Sequence, residues 1–487
     1  DTPARPSTPA PVAQVAAEAA RRLAGGSMRT QPEVEASLHF TLGNVLTNAG
    51  VPDSARVQFE RAYAGWRAVH GPVHPEVGRA AGMIAQTLVL KGDLAGAAAR
   101  YDEAIRILSR TLPANDPSLL DAELRSAYVL YGQSRHAEAF ARLAVVERRA
   151  RTDASKRMRE ILGRALRMHG DLLTFAGRAA EGEPLLREAI ATNRAVAGER
   201  SPDAIMGLQG LVYNLAMQDR RERLPEAARL GREMVALSRE VFRDDPRNAA
   251  NAYVRLGDVL ARMDSLDAAE PLLRRAVELR VAVHGAAHPD VAYAQVELAK
   301  VSERRGRFAA AESLLVAARD GRRASLGARH PAVASSLRSL GQLALARADS
   351  AAAIPLFVQA AEIWREARLH GYALTDAMSG AQAARRTGRV ALADSIVRVS
   401  LAADTGAVSP LPRARLLALE GILAEARERP ADAERAWLRA HAVYDEAVRA
   451  DPGIATERGQ LADRLAKLYA RLGRETDAAS WRARGAP

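Results

Sequence analysis

The sequence contains no cysteine. That removes disulfides, thiolate metal sites and cysteine nucleophiles, but it does not fix a compartment. Aromatic residues are only 4% of the chain, so a core filled by large rings is excluded. Runs of β-branched residues are scarce while Ala, Leu, Arg and Glu abound, which argues for helix throughout. No stretch approaches the roughly 18 to 20 apolar residues that a membrane helix needs. No secretory leader pattern is present. The chain opens at Asp1 rather than Met, read as processing or trimming, with room for a targeting or anchoring segment upstream. Catalytic signatures are missing too: there is no G-x-x-x-x-G-K-[ST], no G-x-S-x-G, no H-E-x-x-H, and no H-R-D with D-F-G. The expectation is a protein that is not an enzyme and holds no cofactor.

What is there is length, positive charge and a period. The chain has 487 residues and a formal net charge of +12. A basic balance can mark nucleic-acid or membrane partners. Here acids and bases interleave, as in GREMVALSRE (231–240), so solvated helix faces are the reading and nucleic acid is not favoured. Residues 1–11, DTPARPSTPAP, read as a Pro-rich linker. Residues 12–30 read as a lead-in helix, VAQVAAEAARRLA, stopped by Gly25-Gly26.

From residue 31 to 487 a step of roughly 42 residues governs the chain, the mark of a solenoid. Proline punctuates it at Pro32, Pro75, Pro117, Pro202, Pro246, Pro289, Pro331, Pro410 and Pro452. Counting the two steps without a proline, units start near 32, 75, 117, 157, 202, 246, 289, 331, 372, 410 and 452. Inside each step a second pattern runs. One unit reads Leu42-Gly43, Leu46, Gly50, Ala55, Phe59, Ala62, and the next Ile84-Ala85, Leu88, Gly92, Ala97, Tyr101, Ala104. A later unit reads Leu256-Gly257, Leu260, Asp264, Ala269, Leu273, Ala276. The small second residue lets a neighbouring helix approach, the Gly or Asp ends the first helix in a left-handed cap, and the Ala pair brackets one large apolar knob on a second helix. Each helix pair needs its neighbours to bury its face.

This pattern resembles the tetratricopeptide repeat, L-G-x-x-L…G…A-x-x-x-F-x-x-A, in its kinesin-light-chain-like form with a longer step and H-P-D/E-V turns. It is also similar to the C-terminal arrays of bacterial serine/threonine kinases. The resemblance covers residues 31 to about 484. It implies an all-α, right-handed α-solenoid superhelix of about eleven helix-turn-helix units.

VHGPVHPEV (69–77) and VHGAAHPDV (283–291) each place two histidines four apart before a proline and an acid. A metal site is one reading. The same turn, however, reads SLGARHPAV at 325–333, AGERSPDA at 197–204 and LPANDPSL at 112–119. His, Ser and Asp before Pro share a short polar side chain able to cap a helix that begins at the proline. A zinc site would need a third ligand and would not tolerate such swaps. We therefore read no metal.

The resemblance further implies that the first helix of each pair lines a concave groove. The residue after the small one runs Asn44, Gln86, Ser126, Asp171, Tyr213, Asp258, Lys300, Gln342, Gln382, Ile422 and Lys467. Four residues further on stand Asn48, Arg262, Arg304, Arg386 and Arg471, and three before the small residue stand Arg167 and Arg338. The candidate peptide groove is Asn44, Asn48, Gln86, Arg262, Lys300, Arg304, Arg338 and Gln342, most cationic around Lys300, Arg304 and Arg338. Asn44 matches the Asn that family members use on a ligand peptide. Phe40 stands where the usual Lys partner would be, which departs from a strict carboxylate clamp. The expected partner is a protein or peptide of acidic character, bound by a scaffold or by the sensor part of a bacterial signalling protein in the cytoplasm or beyond it. Two rivals stand beside it. One is a self-assembling filament or surface protein, against which the polar last helix with its single Trp481 argues as a cap. The other is an RNA-binding helical repeat, which would need a regular pair of reading residues per unit that this list lacks.

Overall fold

The computed structural model describes residues 10–24, 30–49, 51–133, 135–218, 220–243, 246–404, 410–450 and 452–485. Most of the expected linker, the Gly25-Gly26 stop and the Gly50 cap lie outside the described residues. Among the described residues there are 23 α-helices, two single 3-10 turns and no strand. The fold is an all-α repeat solenoid. It divides into two compact units, residues 1–264 and 265–487.

The first unit holds α1 (Ala10–Ala24), α2 (Pro32–Asn48), α3 (Pro52–His70), α4 (Pro75–Leu90), α5 (Leu94–Thr111), α6 (Pro117–Gly132), α7 (His136–Ala150), α8 (Lys156–Phe175), α9 (Ala179–Ala197), α10 (Pro202–Met217), α11 (Leu224–Val241) and α12 (Pro246–Arg262). The second holds α13 (Leu266–His284), α14 (Pro289–Arg304), α15 (Phe308–Leu326), α16 (Pro331–Ala346), α17 (Ser350–Glu366), α18 (His370–Arg386), α19 (Val390–Ala402), α20 (Pro410–Ala426), α21 (Pro430–Ala450), α22 (Ala455–Arg471) and α23 (Glu475–Gly485). Within each unit a helix packs on the next in sequence, and alternate helices touch, as α4 touches α6 and α14 touches α16.

The small residue and the knob meet as the repeat logic requires. A Cβ on Gly43 would lie 2.5 Å from the Phe59 ring, and one on Gly341 would lie 2.9 Å from Phe357. On Gly421 it would run into Trp437. These rings are buried at 0, 2 and 0% exposure, so glycine is what admits them.

The turns explain the punctuation. Pro opens α4, α6, α14 and α16, where its missing N–H costs nothing. The residue before it caps the helix. His74 Nδ1 accepts from the Glu76 N–H at 3.3 Å, Asp116 Oδ1 from Ser118 at 2.7 Å, His288 Nδ1 from Asp290 at 3.2 Å and His330 Nδ1 from Ala332 at 3.1 Å. Ser201 departs from the expectation: its backbone has the same extended form, but its hydroxyl makes no cap bond to α10. Between the helices of a pair the chain turns through left-handed backbone, at Gly92 and Gly306 by glycine and at Asp264, Ala348 and Glu428 without it.

The far end of the second unit closes on itself. Trp481 of α23 is buried against a cluster that includes Leu461, Leu465 and Tyr469 of α22, with His441 edge-on at 4.9 Å. No helix among the described residues is long and apolar enough to cross a membrane.

Candidate functional site

Each unit carries hollows on its first helices. In the first unit one of about 180 Å³ is lined by α2, α4, α5, α6 and α8. Its apolar wall is Phe40, Met83 and Leu108, with Gly78 and Gly82 supplying space rather than side chain. A Cβ on Gly78 would press within 2.8 Å of Leu108, so that glycine admits Leu108. A Cβ on Gly82 would meet only the Ala104 Cβ, at 3.8 Å, so that glycine leaves room unused.

Polar groups rim this hollow. Arg79 pairs with Glu76 on its own helix, and its Nε donates to Ser118 Oγ across to α6 at 3.2 Å. Arg125 donates to Asp121 Oδ2 at 2.6 Å, and Arg164 of α8 holds the other oxygen at 3.0 Å. Arg157 adds a third guanidinium to the lining. Tyr101 of α5 forms part of the floor at 2% exposure, and burial pushes its phenol well above the ordinary tyrosine value. The charged groups acting on that phenol are Arg125, more strongly, and Asp121.

In the second unit a hollow of about 370 Å³ is lined by Met378 and Gln382 of α18, Arg415 and Ile422 of α20, Tyr444 of α21, and Glu457, Gln460 and Arg464 of α22. Its polar groups are largely committed to one another. Arg415 grips Glu457 with two bonds, at 2.8 and 2.5 Å, and the Tyr444 hydroxyl donates to the same carboxylate at 3.1 Å. The Arg415 hydrogen bond holds the Glu457 carboxyl below its usual range. Arg464 is exposed and makes no ion pair among the described residues. A further hollow of about 480 Å³ lies among α19, α20 and α21, where arginines and acids mix.

The residues singled out from the sequence divide between the units. Asn44 and Asn48 lie on α2 and Gln86 on α4; Asn44 is half-buried and Asn48 exposed. The Gln86 side-chain oxygen is buried and accepts no hydrogen bond among the described residues. Arg262, at the end of α12, pairs with Asp258 at 3.1 Å and donates to the Ala216 carbonyl at 3.3 Å. Lys300 and Arg304 lie exposed on α14, and Gln342 exposed on α16. Lys300 is paired with Glu297 at 2.8 Å. Arg338 is held internally. Its Nε meets Asp376 at 2.6 Å, and its guanidinium lies over Trp364 and Tyr372 at 5.4 and 5.2 Å. Asp171 of α8 is pushed up to about 6 by burial, against the pull of Arg167 and Arg255. Lys300, Arg304, Arg338 and Gln342 thus share two touching helices, but Arg338 serves Asp376 rather than the surface. Sequence reasoning did not single out Arg79, Gly82, Met83, Tyr101, Arg125 and Arg157 as a site. The readable signal was Gly78 and Gly82, four apart on one first helix, with an arginine at 79.

The histidine turns are repeated geometry. His70 and His74 stack at 4.1 Å and 17°, and His284 and His288 at 4.2 Å and 17°. His284, His288 and Asp290 bring donor atoms within 4.8 Å of one another, a spacing a cation could share. His288 Nδ1 is already the acceptor of the α14 cap. At the third such turn Leu326 replaces the first histidine and His330 still caps, so the cap does not need the pair.

The tetratricopeptide repeat model matches residues 33–110, 248–320 and 290–366. Over those residues the chain carries tetratricopeptide repeats, in keeping with the helix pairs and glycine–knob contacts described above. No curated protein matches the chain. Solved structures similar to it include a kinesin light chain from Podosopora anserina with nearly identical TPR-like repeats. It is 19% identical, over 42% of this chain and 95% of that one, with a TM-score of 0.36. A signal-transduction ATPase with numerous domains from Pyrococcus horikoshii, bearing a tetratricopeptide repeat sensor, is 12% identical over 76% of this chain and 52% of its own, at a TM-score of 0.48. A monomeric mutant of IFIT1 with Gppp-AAAA is 13% identical over 94% and 93%, at 0.42.

Proposed function

We propose that this chain is a non-catalytic scaffold that binds an extended peptide or a partner protein along the first helices of its pairs. The observation that carries the reading is the lining of the hollows. In the first unit α2, α4, α6 and α8, with α5, line one hollow, and in the second α18, α20 and α22, with α21, line another. Within each hollow successive first helices offer side chains to one surface, which suits a ligand laid across neighbouring repeats. Asn44, Asn48 and Gln86 lie on two of the lining helices of the first unit, α2 and α4, and the buried unbonded oxygen of Gln86 favours a donor from a ligand. In the second unit Lys300, Arg304 and Gln342 offer polar and cationic contact, and Arg262 extends the set in the first. The exposed Lys300 and Arg304 of the second unit favour an acidic partner. A role as the sensor or regulatory part of a bacterial signalling protein fits such a surface.

Selection of peptides from a displayed library with the full chain, followed by calorimetry, tests the reading. Combined Asn44→Ala, Asn48→Ala and Gln86→Ala substitutions are expected to weaken a first-unit ligand at least tenfold, and Lys300→Glu with Arg304→Glu to do so for a second-unit ligand. Unchanged affinity in both sets rejects the first-helix surface. A gel shift with single-stranded RNA that disappears with rising salt would move the reading to nucleic acid.

A further inference from the structure

The turn between α13 and α14 holds more than its cap requires. Asp116 and His330 show that one polar residue before the proline is enough. Each caps its helix with a leucine four residues earlier, Leu112 and Leu326. Before α14 a histidine stands at that place, His284, the last residue of α13. It stacks on His288 at 4.2 Å and 17°. The first turn of α14 adds an acid, Asp290. Spacing in the sequence did not show Asp290 to be a third ligand; the fold brings it to the pair. The donor atoms of the three lie within 4.8 Å of one another, the one such group of histidine and acid among the described residues.

His284 Nε2 stands 3.9 Å from Asp290 Oδ2, and His288 Nδ1 stands 3.7 Å from the same oxygen. Ligands at about 2.1 Å from a tetrahedral zinc ion stand about 3.4 Å apart, so both gaps are close to what an ion needs. All three side chains reach solvent and have room to close in. Arg280 donates to the Asp290 carbonyl at 2.6 Å and so holds the backbone that carries the carboxylate. Arg322 does the same to the Ala332 carbonyl at 3.2 Å, so the two turns share a backbone and differ in side chains. The cap competes for His288. A neutral imidazole has one lone pair, and Nδ1 gives it to the Asp290 N–H. An ion on either ring nitrogen takes that acceptor away. The turn tolerates this loss, since Ser201 keeps the same extended backbone before α10 with no cap bond.

We propose that His284, His288 and Asp290 bind one divalent transition-metal ion of the zinc class at the joint between α13 and α14, with water completing its shell. Two imidazoles and a carboxylate suit a borderline ion such as zinc, nickel or copper, whereas calcium and magnesium take oxygen. The ion ties the last residue of one helix pair to the first turn of the next, in place of the His288 cap.

Calorimetry on the full chain tests it with zinc chloride, and with calcium chloride as the oxygen-seeking control. Zinc is expected to bind and calcium is not. His284→Leu and Asp290→Ala each copy a residue of the turn at 325–333, Leu326 and Ala332, so a ligand goes while the turn stands. Each should weaken zinc at least about tenfold, since loss of an outer-shell partner alone costs that much. The unfolding midpoint without metal should not change. His70→Leu, at the other stacked pair, should leave zinc binding as it is, because no third donor joins that pair at such a distance among the described residues. Zinc should also shift the amide resonance of Asp290, whose N–H loses its acceptor, and should not do so in the two variants. The proposal is overturned if zinc does not bind, if both variants bind it as tightly as the unaltered chain, if His70→Leu alone removes the binding, or if zinc leaves the Asp290 amide unmoved.

Discussion

The same place in two repeats is empty in one and full in the other. In the first unit Gly82, Tyr101 and Leu108 border a hollow. The corresponding residues of the second unit are Arg338, Phe357 and Trp364. There the Arg338 guanidinium takes the space, lies over Trp364 and Tyr372, and is pinned by Asp376, which also accepts from the Trp364 Nε1 at 2.9 Å. A repeat fold supplies the same backbone at both places. Side chains decide whether a cation there is part of the protein or a wall offered to a ligand. An arginine on a first helix is thus not evidence of a binding surface until its partner is known.

The largest effect should come from breaking the filled place. Arg338→Ala leaves the Asp376 carboxylate at 1% exposure without its cation. The expected loss is about 3–5 kcal/mol in urea unfolding. Burial already raises Asp376 above the ordinary carboxylate range, with Arg338 opposing the rise. Without Arg338 it should rise further. A raised carboxyl contributes stability that is complete below its unfolded value and fades as pH climbs through the folded one. The deficit of Arg338→Ala should therefore be smaller at pH 4.5 than at pH 7.5. An equal deficit at both would mean that packing, not charge, is lost.

The next effect tests the contact shared by filled and empty repeats. Gly421→Ala forces a methyl into Trp437 and should cost about 1–3 kcal/mol. Gly82→Ala, with only an ordinary contact to meet, should be neutral or stabilising by up to about 1 kcal/mol, since alanine favours helix. Equal losses at the two glycines would contradict the claim that one admits a ring and the other leaves a void.

The smallest effects separate the turns. Asp116→Ala removes a 2.7 Å cap bond and should cost about 1 kcal/mol. Ser201→Ala, at a turn of the same form without a cap bond, should stay within about 0.5 kcal/mol. Thermal unfolding of the two variants side by side distinguishes them.

These contrasts show why some of the molecule was legible and some was not. Repeats and caps are local. Gly43 before Leu46, Ala55 and Phe59 declares a tight helix pair, and His, Asp or Ser before Pro declares a helix start, because each needs only residues close in sequence. His74, Asp116, His288 and His330 answered to that logic, and Ser201 did not, since a cap also depends on how the hydroxyl turns. The fate of Arg338 was not readable in this way. Its partner Asp376 lies on the next first helix, and nothing in the local spacing of either residue pairs them. Tyr101 fitted the repeat as a knob, so its hydroxyl drew no attention. Only the space left beside Gly82 shows that it borders a hollow.

The most direct test is a structure of the full chain with a selected peptide bound. The peptide is predicted to lie along first helices, in contact with Asn44, Asn48 and Gln86 in the first unit or with Lys300, Arg304 and Gln342 in the second. A peptide bound on the second helices of the pairs, with these residues untouched, would contradict the account.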